Sequence, residues 1–222
     1  MSGDKNLAAL KDRILLATLP HVAFDGWSRA SLRAGAADAG LSPQDLLHAF
    51  PDGVAGAIAH WSDWADREGV RAIEAGDLAH LRTHERVAMA VWARLEAIGR
   101  FREAARKATA WLATPRYAGV AARLVYQTCD RIWRAAGDTS TDFNFYTKRG
   151  LLAGVVTSTM LYWLQDKSEG SQDTSAFLNR RIADVLAVGG RIGKIRERLN
   201  SFDPGPFLRR FRQGMAGDHS QN

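Results

Sequence analysis

Cysteine is nearly absent from this chain. Cys129 stands alone, so no internal disulfide framework can staple the fold. Its neighbours Tyr126 and Ile132 describe a small buried thiol, and no histidine is placed to make it a nucleophile. Proline is scarce too. The six are Pro20, Pro43, Pro51, Pro115, Pro204 and Pro206, each where a helix should begin or end. No run alternates apolar and polar residues long enough for a strand, and there is no internal repeat or low-complexity tract. No apolar stretch reaches the roughly 20 residues that a membrane-spanning helix needs. The longest, residues 151–164, contains Thr157, Ser158 and Thr159 and reads as a buried central helix. The chain also lacks a phosphate-binding loop, a Gly-x-Ser-x-Gly elbow, a four-cysteine zinc set and the paired Glu-x-x-His of di-iron bundles. With no constellation for acid–base or nucleophilic work, the expectation is a protein with no catalytic residues, cofactor or metal. The first residues, Met1-Ser2-Gly3-Asp4-Lys5-Asn6, have neither a charged-then-apolar signal nor an Arg- and Ser-rich leader, which gives the expectation of a bacterial cytoplasmic protein.

What is present is the composition of a globular chain: 46% hydrophobic and 24% charged residues over a length that fits one domain with a sizeable core. The net charge of +6 is concentrated at one end. Residues 1–177 carry 21 basic and 20 acidic side chains, whereas residues 178–212 carry nine basic and three acidic. A basic C-terminal segment points to an anionic surface met by that end rather than to a nucleic-acid-binding body.

Helical periodicity places elements at Asp4–Leu19, Ser28–Ala39, Ser42 to Pro51 and Asp52–Ala75, then near 77–98, 101–113, 116–136, 142–165 and 173–199. The predicted fold is all-α, with about nine to ten helices. Ser42-Pro43-Gln44-Asp45 supplies a cap, a first-turn proline and an acidic N3 residue. Three short helices with a tight turn at Gly40 resemble a helix-turn-helix module. The domain reading is therefore a helix-turn-helix-like module at 1–51, a helical body at 52–200, and a linker with an amphipathic helix at 201–222. Short N-terminal helices before a longer helical body resemble the TetR-regulator architecture. Its third helix, Pro43 to Phe50, has no Lys or Arg, and residues 28–64 hold Arg29 and Arg33 against Asp38, Asp45, Asp52 and Asp63. Such a surface repels a polyanion, so the expectation is no nucleic-acid partner. A DNA-binding regulator is the alternative, and it rests on fold alone.

Asp138-x-Ser140-x-Asp142-x-Asn144 imitates the start of a calcium loop, but Phe143 stands at the glycine position and Arg149 at the bidentate glutamate, so a capping turn is the better reading. His80 and His84 share helical spacing without a His-Glu-x-x-His pattern and read as solvated. Val91, Trp92, Leu95, Leu124, Val125, Leu152, Val156, Met160 and Leu178 fit either an ordinary packed core or the walls of a ligand cavity. In the tail, Phe207, Leu208, Phe211 and Met215 form an apolar helical face opposite Arg209, Arg210 and Arg212. This is a solvated tail or a peripheral membrane anchor, with arginines meeting anionic lipid.

The stretch with most information is Gly137-Asp138-Thr139-Ser140-Thr141-Asp142-Phe143-Asn144-Phe145-Tyr146-Thr147-Lys148-Arg149. Thr141 or Asp142 can cap a helix start, and Phe143, Phe145 and Tyr146 then fan around the axis so that a single buried face cannot take all three. This segment resembles the signature of the ubiquinone-biosynthesis accessory family called "coq-nine", Gly-Asp-x-Ser-x-Asp-x-Asn-Trp-Tyr-Thr-Lys-Arg, with Phe145 where the family usually has Trp. Leu19-Pro20-His21-Val22-Ala23-Phe24-Asp25-Gly26-Trp27-Ser28 and Ser158-Thr159, Asp166 and Phe177-Leu178-Asn179-Arg180-Arg181 extend the resemblance in order. It implies a TetR-type fold and a non-enzymatic protein that binds isoprenoid quinone intermediates or phospholipid within the candidate walls named above. It also implies presentation to a ring-modifying hydroxylase through Ile132, Trp133, Asp142, Phe145 and Tyr146. An amphipathic C-terminal helix would hold the protein at the periphery of the inner membrane, and a homodimer follows by analogy with TetR-type bodies.

Overall fold

The computed structural model describes residues 2–75, 81–138 and 143–200, with side chains described for 6–75, 81–138 and 146–187. Among these residues every regular element is helical: α1 (Ser2–Asp25), α2 (Arg29–Asp38), α3 (Pro43–Ala49), α4 (Gly53–Ala75), α5 (Thr83–Ile98), α6 (Arg102–Leu112), α7 (Ala118–Ala135), α8 (Phe143–Trp163) and α9 (Gln172–Asn200). Short 3-10 turns precede α6, α7 and α9. Helix α1 runs on through Pro20, where a stop is expected at Leu19. Leu19 and Val22 are both buried in the core, and that burial outweighs the hydrogen bond the proline removes.

The chain divides into two units, Met1–Ile182 and Ala183–Asn222. The first holds α1–α8 and the start of α9, so the helix-turn-helix and the body are joined in one core. The caps and turn of the three short helices form locally. Ser28 caps α2 by accepting from the Ser31 N–H at 3.1 Å. Gly40 takes φ +67° after α2, and the Leu41 N–H returns to the Ala36 carbonyl at 2.9 Å. Ser42 and Asp45 then form the capping box of α3. Helices α1 and α2 cross closely because Gly35 has no side chain, and α4 and α5 do so at Gly69.

The core gathers Ile14, Leu15, Leu19 and Val22 of α1 with Ile58, Trp61 and Ala65 of α4 and Leu95 and Ile98 of α5. Trp27 packs its ring 5.4 Å from that of Trp61 and donates its N–H to the Ala104 carbonyl of α6 at 3.1 Å. The α8–α9 turn is fixed by Asp166, which accepts from the N–H groups of Ser168 and Thr174 at 2.8 and 2.9 Å and from both hydroxyls. Burial works to raise this carboxyl, but those hydrogen bonds outweigh it and hold Asp166 well below the usual carboxylate range. Arg102 ties the turn to α6: it donates to the Asp166 carbonyl and to Ser171 Oγ, and its guanidinium lies 4.5 Å from the Trp163 ring centre.

Helix α8 is not the enclosed central helix that its composition predicts. Leu152, Val155, Val156, Thr159 and Trp163 are buried, but Gly150, Gly154, Thr157, Leu161 and Tyr162 face outward. The helix is apolar on two sides, and the first unit covers one of them.

Candidate functional site

The end of α7 and the start of α8 are locked together by charge. Arg149, 3% exposed, donates through Nε to Asp130 Oδ1 at 2.9 Å and lies 3.6 Å from Asp138. Lys148 Nζ meets Asp138 at 2.6 Å, and Arg134 pairs with Asp130 at 2.9 Å. A buried guanidinium is tolerable only when carboxylates compensate it, so these pairs set the register of the α7–α8 hairpin. Gly137 (φ +90°) turns the chain out of α7, and the Asp138 N–H closes the cap on the Trp133 carbonyl at 2.9 Å.

Two of the predicted partner residues, Trp133 and Tyr146, stand on the two helices of this hairpin. The Trp133 indole donates to the Lys148 carbonyl at 3.1 Å, and the Lys148 ammonium sits 5.5 Å from its ring centre. Tyr146, less than one turn away on α8, is 69% exposed. Ile132 is buried and supports the junction from behind. Asp142 and the side chain of Phe145 lie outside the described residues, as do the capping positions of the signature.

The predicted cavity walls all lie among the described residues. Val91, Leu95, Leu124, Leu152, Val156 and Leu178 are buried, and Trp92, Val125 and Met160 are half-buried. A cleft of about 70 Å³ lies elsewhere, bounded by Ile58, Trp61, Ser62, Arg94, Ile98 and Met160 among others. Of the nine predicted walls only Met160 reaches it. It has room for a few water molecules, against the roughly 300–1,000 Å³ of a drug-sized ligand site. Beside it runs a buried polar network that the periodicity did not reveal. Asp66 accepts from Arg94 Nε at 2.7 Å and from Thr128 Oγ1 at 2.9 Å. The Trp61 N–H and the Thr159 hydroxyl are buried without a partner. Arg94 is the sequence signal that could have exposed the network, since it falls on the inward face between Val91 and Leu95.

Among the described residues no group of three metal-binding side chains comes together. Asp138, the first position of the calcium-like run, is engaged by Lys148 and Arg149; residues 139–142 and His80 lie outside the described set. Cys129 is fully buried, and burial pushes its thiol up to about 12. No described helix is long and apolar enough to cross a membrane. The anchor residues Phe207, Leu208, Arg209, Arg210, Phe211, Arg212 and Met215 lie outside the described residues.

Residues 118–189 match the COQ9 family. The chain is 31% identical over 187 residues to the mitochondrial ubiquinone biosynthesis protein COQ9 of Bos taurus, covering 81% of this chain and 58% of that protein. The corresponding values for the Drosophila melanogaster protein are 32% over 184 residues, 81% and 56%. The chain belongs to the COQ9 family. It spans less than two thirds of the length of these relatives. The matched COQ9 segment begins with α7 and ends within α9, so the Trp133–Tyr146 junction lies inside it. The TetR transcriptional regulator of Nitrosomonas europaea superposes with a TM-score of 0.65 at 20% identity, over 80% of this chain and 98% of that one. The COQ9-family chain therefore has a TetR-type fold.

Proposed function

We propose that this chain is a non-enzymatic accessory protein of ubiquinone biosynthesis that binds isoprenoid quinone intermediates at a membrane and presents them to a ring-modifying hydroxylase. The observation that carries the reading is the extended similarity to ubiquinone biosynthesis proteins, over a stretch that includes the ion-paired α7–α8 junction. That junction would offer the hydroxylase an aromatic surface, with Trp133 held by its own hydrogen bond and the Tyr146 ring largely exposed. The cleft beside Asp66 is too small for an isoprenoid tail, so the tail takes its place by displacing side chains or along outward apolar groups. Leu161 and the stacked pair Tyr162 and Phe177, 4.5 Å apart, are such groups. The uncovered side of α8 also suits the homodimer expected by analogy. The amphipathic C-terminal segment would hold the protein at the membrane periphery.

Mass spectrometry of lipids extracted from the purified protein should find a polyprenyl quinone intermediate in stoichiometric amount. Protein free of such lipid, and unable to take it up from vesicles, refutes the ligand. Tyr146→Ala should weaken hydroxylase association at least tenfold while circular dichroism still shows a folded helical chain; unchanged affinity refutes the patch.

A further inference from the structure

Charge is unevenly distributed within the folded body. Residues 99–123 carry six basic side chains and one acidic, whereas the rest of residues 1–177 carries fifteen basic and nineteen acidic. The basic stretch comprises the turn before α6, α6, the α6–α7 corner and the first turns of α7. Three of its cations serve the fold. Arg102 holds the α8–α9 turn. Lys107 donates to the Ala23 and Phe24 carbonyls at the end of α1. Arg106 pairs with Glu103 at 3.3 Å and donates to the Leu164 carbonyl. Arg100, Arg116 and Arg123 are exposed, and among the described residues none has a carboxylate partner.

Aromatic groups accompany these three arginines. At the corner Trp111 and Tyr117 stack with centroids 3.5 Å apart, and the Arg116 guanidinium lies 5.6 Å from the Tyr117 ring centre. Tyr126, 45% exposed, follows Arg123 by three residues and shares its helix face. Between corner and tyrosine that face is low, because Gly119 and Ala122 point outward. Phe24, 87% exposed, ends α1 where Lys107 holds it against α6.

We propose that the α6–α7 corner and the first turns of α7, built on Arg116, Arg123, Tyr117 and Tyr126, dock the folded body on an anionic lipid bilayer. The exposed arginines meet lipid phosphates, and the Tyr117 and Tyr126 rings settle at headgroup level. The low stripe of Gly119 and Ala122 allows close approach. Positive charge would attract any polyanion, but α3, the helix that would read DNA, has no basic residue apart from His48 and exposes Leu47, which favours lipid over nucleic acid. The inference goes beyond the reading above and depends on neither the quinone nor the C-terminal segment. Trp133 lies about 10 Å further along α7 than Tyr126, so docking here brings the hydroxylase-facing end of the helix to the bilayer.

The test is co-sedimentation of the full chain with vesicles of phosphatidylcholine containing about one third phosphatidylglycerol, at low salt. R116Q/R123Q should lower the partition coefficient by about fivefold per arginine, or about 30-fold together. R29Q/R33Q removes the same net charge from exposed positions on α2 and should leave partitioning within about twofold. Circular dichroism should show both variants folded, since none of the four side chains holds another element. Partitioning of R116Q/R123Q equal to the parent's overturns the proposal. So does an equal loss in R29Q/R33Q, which would mean that net charge alone matters. A loss seen only against a short DNA duplex, with vesicle partitioning intact, also overturns it.

Discussion

Gly35→Ala should destabilise the protein even though alanine is the better helix former. A Cβ built on Gly35 would lie 2.2 Å from Thr18 Oγ1 and 2.6 Å from both the Cα and the N of Thr18. The hydroxyl can rotate away, but the backbone of α1 cannot. To restore ordinary contact near 3.4 Å the two helices must part by nearly 1 Å. That opens the packing of Leu32 and Ala36 on Leu15 and Leu19, all of them core residues. Overpacking of this kind costs about 1–3 kcal/mol, and an unyielding backbone puts the cost at the top of that range or above it. Replacing glycine inside a helix returns at most about 1 kcal/mol. The net loss is about 2 kcal/mol, or about 4–8 °C in Tm for a unit of this size. Gly154→Ala is the matched control. It lies mid-helix on the exposed side of α8, and its Cβ would meet no described heavy atom within 4 Å. The same chemical change there should raise Tm by about 2–4 °C. Thr18→Ala in the Gly35→Ala background should restore only part of the loss, because the backbone contacts remain. Calorimetry of the four proteins decides the matter. Gly35→Ala as stable as the parent, or full rescue by Thr18→Ala, would refute a backbone-limited crossing.

Other outcomes follow from the same packing. Asp66→Ala should cost about 3–5 kcal/mol by stranding the largely buried Arg94, whereas Asp66→Ala combined with Arg94→Met should cost clearly less; urea titration of both variants tests this. Asp166 is depressed in the folded state, so its contribution to stability is complete above about pH 4 and falls away as pH drops towards its folded value. Urea midpoints measured from pH 5 to about pH 2 should accordingly fall less steeply in Asp166→Asn than in the parent. Burial lowers the His60 pKa against the opposing pull of Asp12. The folded protein therefore resists protonation there, and stability should decline as pH falls below about 6.5, with His60→Gln removing that decline. Trp133→Phe keeps the ring but loses the hydrogen bond to the Lys148 carbonyl; it should cost about 1 kcal/mol in stability by thermal melt.

Helix positions were legible in the chain because capping residues and apolar spacing act locally. The Ser42–Asp45 box and the Gly40 turn are both where the sequence puts them. Pro20 misled because its cost is local while the gain from burying Val22 is tertiary. The α7–α8 junction was legible only in part. The resemblance picks out Trp133 and Tyr146, but the Arg149–Asp130–Asp138 lock forms across the turn between the helices, where helical spacing gives no sign of it. The proposed walls show a different limit. Val91, Leu95 and Leu152 are apolar because they are buried, and the same pattern would arise around a void or a filled core. The basic α6–α7 face escaped notice because charges summed over residues 1–177 nearly cancel.

The lone thiol has a practical consequence. Cys129 is fully enclosed and stays protonated far above neutral pH, so maleimide and methanethiosulfonate reagents should pass it by while the chain is folded. A single cysteine introduced at an outward position such as Thr157 or Ala122 would then carry a fluorophore or spin label alone. Distances and immersion depths could be read from the otherwise native sequence.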